Sequence, residues 1–393
     1  MNILVIGNGF DLAHNLPTRY IDFIDYIHTL VRYSVWHQNL DEIIPTIEYS
    51  NSLREIIQEY TLNKPIFSAD EANKLVETNY LIKTNYKNNN NNLDRWVDFE
   101  KTLSYIIQEL NKTPRHRSLP EKILETEIST SEFPKNFYDL FLKAEEFLKS
   151  DLNQLILSFE KYICEIVDNK EINCILPDIK NLEQDIDKLI SFNYTDTYRK
   201  VYKILDDENC HFIHGKADLK RTPEENNMVM GIDDFCDNQE DEYDLKFIEF
   251  KKFYQRIAKK TGNKYKKWLE EVNTNAEDID IRINSMDKTH FPSIQQHIYK
   301  SILAEKSNLL NIYFFGHSLD VTDRDIISEL ILNPFAKTTI YYLNQQVYEQ
   351  QIMNLIKVIG KDNLIEKTGN GTLEFVKQAD PIPRDTELEI TSE

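Results

Sequence analysis

The sequence predicts an α/β fold, a parallel sheet interrupted by large helical insertions, and three observations support it. Ile3, Leu4, Val5 and Ile6 are apolar with no polar alternation and run directly into Gly7 and Gly9, as a strand covered on both faces does before a tight turn. Ile312 to Phe315 and Ile340 to Leu343 are unbroken apolar runs of the same buried kind. Between these ends, over about residues 18 to 180, apolar positions recur at helical spacing.

The opening turn has the outline of a nucleotide cradle. The chain has only nine glycines in 393 residues, so two within three positions are informative. A dehydrogenase fingerprint would add a third small residue and, about twenty residues on, an acid at the end of a second strand. Here the third position is Leu12. Tyr20, Phe23, Ile24 and Ile27 lie at helical spacing, which puts Asp22 and Asp25 on the wet side of a helix. Both features argue against hydride-transfer chemistry.

Further along, Leu93, Trp96, Val97, Phe99, Leu103, Ile106, Ile107 and Leu110 trace one helical face. A second runs from Phe137 to Ile166, and the two helices are expected to pack together. Lys87 followed by Asn88 to Asn92 reads as a polar loop. Strand character returns at Lys188 to Asn193, His211 to His214, Met228 to Gly231, Asn311 to Phe315 and Thr338 to Leu343. The expected partition is a nucleotide-binding core of 1–20, 185–235 and 305–378, helical insertions at 21–184 and 236–304, and a frayed tail at 379–393.

Composition narrows the classes. A hydrophobic fraction of 41% with 11% aromatic residues argues against disorder. The apolar runs are too short for a membrane span and the first segment lacks the features of a signal peptide, so a soluble cytoplasmic protein is expected. A net charge of -20 argues against nucleic-acid binding as the main role. The segment Lys251 to Lys267 is a local exception, with eight cations and interleaved aromatics, and reads first as a solvated helix face. Cys164, Cys174, Cys210 and Cys236 include no close pair and are expected to be reduced thiols.

Three strand ends could carry chemistry. Asn193 closes one; its amide can donate to and accept from ribose hydroxyls or water, or it can simply cap the next helix. His214, beside Gly215, closes the second and is the better general-base candidate there. His211, three residues earlier, would point to the other side of a strand, which makes a paired metal site improbable. Gly316-His317-Ser318-Leu319-Asp320 closes the third. It approaches a nucleophile elbow, but the final glycine is Asp320 and no histidine follows His317 to complete a triad. Ser318 is better read as a hydroxyl donor to a phosphate.

Together these segments resemble sirtuin-like NAD-binding proteins, and most closely the bacteriophage abortive infection AbiH family. The resemblance rests on four ordered motifs: Gly7-Asn8-Gly9-Phe10-Asp11 through Pro17-Thr18, Phe192-Asn193-Tyr194-Thr195-Asp196, Ile213-His214-Gly215, and Phe315-Gly316-His317-Ser318-Leu319-Asp320. It implies a Rossmann-like, sirtuin-like core. The paired cysteines that would build the zinc module of deacetylating sirtuins are missing, and defence relatives of this fold hydrolyse NAD. The resemblance therefore implies an NAD glycohydrolase that takes NAD as substrate, with no further cofactor and no metal. Asn193 would orient the ribose and water, and His214 would act as general base. Gly7, Asn8, Gly9, Phe10, Asp11, Pro17, Asp196, Gly316, Ser318 and Asp320 would contact the nucleotide, the glycine loop through its backbone N–H groups. Expected partners are NAD, a phage-derived trigger and a second copy of the chain. Alternatives from other classes are a nuclease or RNA-binding effector using 251–267, and a non-catalytic nucleotide-sensing protein.

Overall fold

The computed structural model describes residues 1–47, 51–89, 99–112, 117–232, 247–285 and 292–384. The chain divides into two compact units: Met1–His14, Ile172–Ile213 and Thr261–Glu393 form the first, Asn15–Glu171 and His214–Lys260 the second.

The first unit is built on a six-stranded sheet of β1 (Asn2–Ile6), β2 (Lys188–Ser191), β3 (Cys210–Phe212), β4 (Leu310–Phe315), β5 (Ala336–Tyr342) and β6 (Leu373–Lys377). All neighbours are parallel and the order is β3-β2-β1-β4-β5-β6. This is the doubly wound, Rossmann-like order, with the reversal between β1 and β4. Alternation along β1 explains its lack of polar residues. Ile3 and Val5 join an apolar layer with Trp268, Ile327 and Leu355, while Leu4 and Ile6 join the opposite layer with Ile179 and Tyr198. Every β1 side chain from Ile3 to Ile6 is therefore buried.

Four strand expectations correspond to β2 to β5, with shifted ends. Met228 to Gly231 forms no strand; it is a loop fixed by side chains, described below. Leu373–Lys377 was not anticipated, because Glu374 and Lys377 break the apolar run at an exposed sheet edge. Part of the expected frayed tail is ordered: Ile382–Pro383 pairs antiparallel with Cys174–Ile175.

The second unit is helical. Its longest element, Phe137–Tyr162, ends among aromatic rings: Phe23 lies 5.5 Å from Phe159 and 5.6 Å from Tyr162, centroid to centroid. Its nearest neighbours include the helices Ser118–Leu124 and Tyr80–Asn89, and the Phe99–Lys112 helix packs on those same two. Asp22 is not on the wet side of its helix. It is fully buried at the third position, where its carboxylate accepts the Arg19 N–H at 3.0 Å and pairs with the Arg19 guanidinium at 3.2 Å. Lys87 to Asn89 end a helix rather than open a loop. Residues 90–98, which include Leu93, Trp96 and Val97 of the expected helical face, lie outside the described residues, as does Cys236. Cys164, Cys174 and Cys210 are free thiols.

Among the described residues no helix is long and apolar enough to cross a membrane.

Candidate functional site

In an open parallel sheet the ligand crevice lies beyond the carboxyl ends of the strands where their order reverses. Here that point is between β1 and β4, and both following loops are glycine-bearing. The loops lock onto each other: the Gly7 N–H donates to the Phe315 carbonyl at 3.1 Å and the Gly9 N–H to the Gly316 carbonyl at 2.8 Å. The glycines permit this approach. A Cβ on Gly9 would lie 2.8 Å from the Gly316 Cα, and one on Gly316, whose φ is +67°, would lie 2.1 Å from the Phe10 nitrogen. The N–H groups of Gly7 and Gly9, expected to face a diphosphate, thus bond to the β4 chain. The exposed side chains at this point are those of Asn8 and Ser318.

Asn193 joins the same crossing. Its Nδ2 donates to the Gly7 carbonyl at 3.0 Å, and its own N–H is held by the Ser191 hydroxyl at 3.1 Å. The helix-cap alternative does not describe it, since the next helix, Thr197–Val201, begins after Asp196. Because a carbonyl can only accept, the amide orientation follows from chemistry, and Oδ1 is the end that accepts. Two residues on, the Thr195 hydroxyl donates to buried Asp11 at 2.6 Å and is itself approached by Thr197 at 3.1 Å. This hydroxyl chain ties the β2 loop to the helix after β1.

Several predicted contact residues have structural partners. Phe10 is fully buried, edge-on to Phe315. Asp196 grips Arg199 through both carboxylate oxygens, at 2.8 and 2.6 Å. Asp320 accepts the Thr322 N–H at 3.2 Å. His14 supports Phe10 from behind: its Nδ1 donates to the Phe10 carbonyl at 2.7 Å, so its Nε2 accepts from the Tyr202 hydroxyl at 2.9 Å. Burial lowers the His14 pKa to about 4, keeping the ring neutral in this role.

Pro17 and His214 belong to the second unit. The Pro17 carbonyl accepts the Tyr162 hydroxyl at 2.9 Å. His214 is buried in a turn just past β3, and buried polar side chains hold the loop that follows it. Its carbonyl accepts the Val229 N–H at 2.8 Å. Glu160, in the long helix, accepts from Asp218 N–H and from Asn226 Nδ2, at 3.1 and 2.7 Å. Gln255 bonds both the N–H and the carbonyl of Met230, and Lys259 donates to the Met228 carbonyl. Gly215, at φ +76°, is obligatory there, because a Cβ would meet the Asn227 carbonyl oxygen at 2.0 Å.

This arrangement changes the reading of the basic segment. Lys251 and Lys252 are buried, the latter paired with Glu100 at 2.7 Å. Burial lowers the Lys259 pKa to about 8. Lys264 donates to backbone carbonyls of Asp207 and Cys210, and Lys266 pairs with Glu329 at 3.1 Å. Of the eight cations, Lys251 and Lys252 are thus buried and Lys259 and Lys264 bond backbone carbonyls, while Lys260, Lys266 and Lys267 are exposed. His211, for its part, bonds the Gly262 carbonyl at 3.1 Å and stacks on Tyr265. Among the described residues no three His, Cys, Asp or Glu side chains could hold a metal ion.

Sequence reasoning missed Gln351 and Asn354. From the helix Gln345–Ile359 they donate to the carbonyls of His317 and Ser318, at 3.1 and 2.8 Å, and fix the loop after β4. Two amides three apart on a helix face otherwise closed by Leu355, Val358 and Ile359 were the available signal.

No curated protein and no solved structure matches the chain. A family does, over residues 3–343, from the first residues of β1 to just past β5. That span includes the glycine turn, Asn193, the His214 turn and the loop after β4, and by it the chain belongs to the bacteriophage abortive infection AbiH family.

Proposed function

We propose that the protein is an abortive-infection effector whose core is sirtuin-like and which hydrolyses NAD to nicotinamide and ADP-ribose. The observation that carries this reading is the crossing of the β1 and β4 loops at the reversal of strand order, with the Asn193 amide bonded into it at 3.0 Å. Family membership supplies the defence setting.

In the reaction the bond from ribose C1 to nicotinamide breaks, the electron pair leaves with nicotinamide, and water adds to the oxocarbenium-like carbon while losing a proton. Asn193 Oδ1 accepts from a ribose hydroxyl or from that water and orients it. His214 is the general base of this reading, a role worth about a hundredfold to ten-thousandfold in rate. With the Gly7 and Gly9 N–H groups engaged by the β4 loop, the exposed side chains of Asn8 and Ser318 become the nucleotide's polar contacts. NAD is substrate rather than cofactor. The reading includes action in the cytoplasm, release of activity by a phage-derived trigger, and self-association.

The test is release of nicotinamide from NAD by the purified protein, with and without extract of infected cells. Asn193→Ala and His214→Ala should each abolish release while the far-ultraviolet circular dichroism spectrum is retained. Full turnover by both variants would sink the assignment. NAD that raises the melting temperature without being consumed would instead indicate a nucleotide sensor.

A further inference from the structure

The loop after β4 is held in an unusual conformation, and one side chain holds it from within. Gly316 and Leu319 both adopt left-handed backbone, at φ +67° and +56°, and Leu319 is fully buried. A branched side chain takes that conformation only against a steric cost. The turn brings the Leu319 N–H to His317 Nδ1 at 2.9 Å. An N–H donates, so Nδ1 is the unprotonated nitrogen and the proton resides on Nε2. Nε2 lies 3.9 Å from Asp323, at the start of the following helix. The ring itself fills space, edge-on to Phe192 at 4.3 Å and to Phe314 at 6.3 Å. Outside the ring, every carbonyl from Phe315 to Ser318 is accounted for by Gly7, Gly9, Gln351 and Asn354.

We propose that His317 is a positioning residue of the nucleotide site, its Nδ1 lone pair holding the Leu319 turn that keeps Ser318 exposed to a nucleotide's ribose or phosphate oxygens. The proposal rests on the nucleotide-binding reading for its ligand, but not for its structural half. What matters is the acceptor two residues before Leu319, and asparagine can supply one from the same position as an Asx turn, whereas alanine and leucine cannot. Leucine keeps apolar volume and so separates packing from hydrogen bonding.

The experiment compares wild type with His317→Ala, His317→Leu and His317→Asn by hydrogen exchange over residues 316–320 without nucleotide, and by KM and kcat for NAD. Loss of one buried hydrogen bond should speed exchange and raise KM by about tenfold in the Ala and Leu variants, with kcat far less affected, and Asn should restore both. Nitrogen-15 shifts of the imidazole should report the Nε2–H form. Where the Ala variant does not fold, the Leu and Asn pair decides. An Asn variant that behaves like Leu, or exchange unchanged in all three, overturns the proposal. If wild type consumes and binds no NAD while the exchange pattern holds, the nucleotide reading fails and the role of His317 in shaping the loop stands.

Discussion

At the scale of single residues, the glycines of the first unit differ in what they do. Gly7, Gly9 and Gly316 allow two backbones to cross at hydrogen-bond distance, and Gly316 must also be left-handed. Gly262 is left-handed too, at φ +84°, but open space surrounds it. Gly316→Ala should therefore cost at least about 3 kcal/mol, from strain and overpacking together. Gly262→Ala should cost roughly 1 kcal/mol, for the backbone conformation alone. Urea midpoints measure both, and equal losses would contradict the loop-crossing account. His14 belongs to the same scale: a neutral ring with both nitrogens engaged is a support for Phe10, not a base awaiting substrate.

Elements are joined by buried polar groups whose charge has consequences. Asp151, in the Phe137–Tyr162 helix, is buried and accepts the Tyr80 N–H at 2.8 Å. Burial pushes its carboxyl up to about 7. The folded state therefore holds a proton that the unfolded chain releases near its ordinary value of 3.8, and stability falls as pH rises from about 4 through 7. Asp151→Asn keeps the acceptor and removes the charge. It should match wild type near pH 4 and exceed it at pH 8 by up to about 4 kcal/mol, read from unfolding curves at both values. No gain at pH 8 would mean that the carboxylate is solvated better than its burial indicates. Glu160 performs a comparable joining task for the loop after His214.

The whole molecule carries a net charge of -20, and half of the eight cations in its most basic stretch are buried or bonded to backbone carbonyls. Lys251 and Lys252 are buried, Lys259 and Lys264 donate to backbone carbonyls, and Lys266 pairs with Glu329. Counterion release needs cations free to meet phosphates. Mobility-shift titrations with single- and double-stranded RNA and DNA should accordingly show no salt-sensitive retention at micromolar protein. Retention that weakens steeply between about 50 and 200 mM salt, the behaviour such contacts produce, would revive the nucleic-acid reading.

Much of the fold was legible because its signals are local. β1 announced itself through four apolar residues and a glycine turn, and β4 and β5 through unbroken apolar runs. Asn193 and the glycines were legible as strand-end residues. The partition into units was not: 236–304 is expected to be a helical insertion, but only packing shows that Tyr265, Trp268, Leu269 and Val272, on the helix Lys264–Ser285, close one face of the sheet. Nor could composition show that Lys259 holds the Met228 carbonyl of the loop after His214, since charge at one position says nothing about which carbonyl it will reach. The alternation that buries β1 on both faces is written in its side chains. Which loop fills the space beside Gly9, and which nitrogen of His317 keeps its lone pair, depend on partners about three hundred residues away or on a backbone turn, and folding alone brings those together.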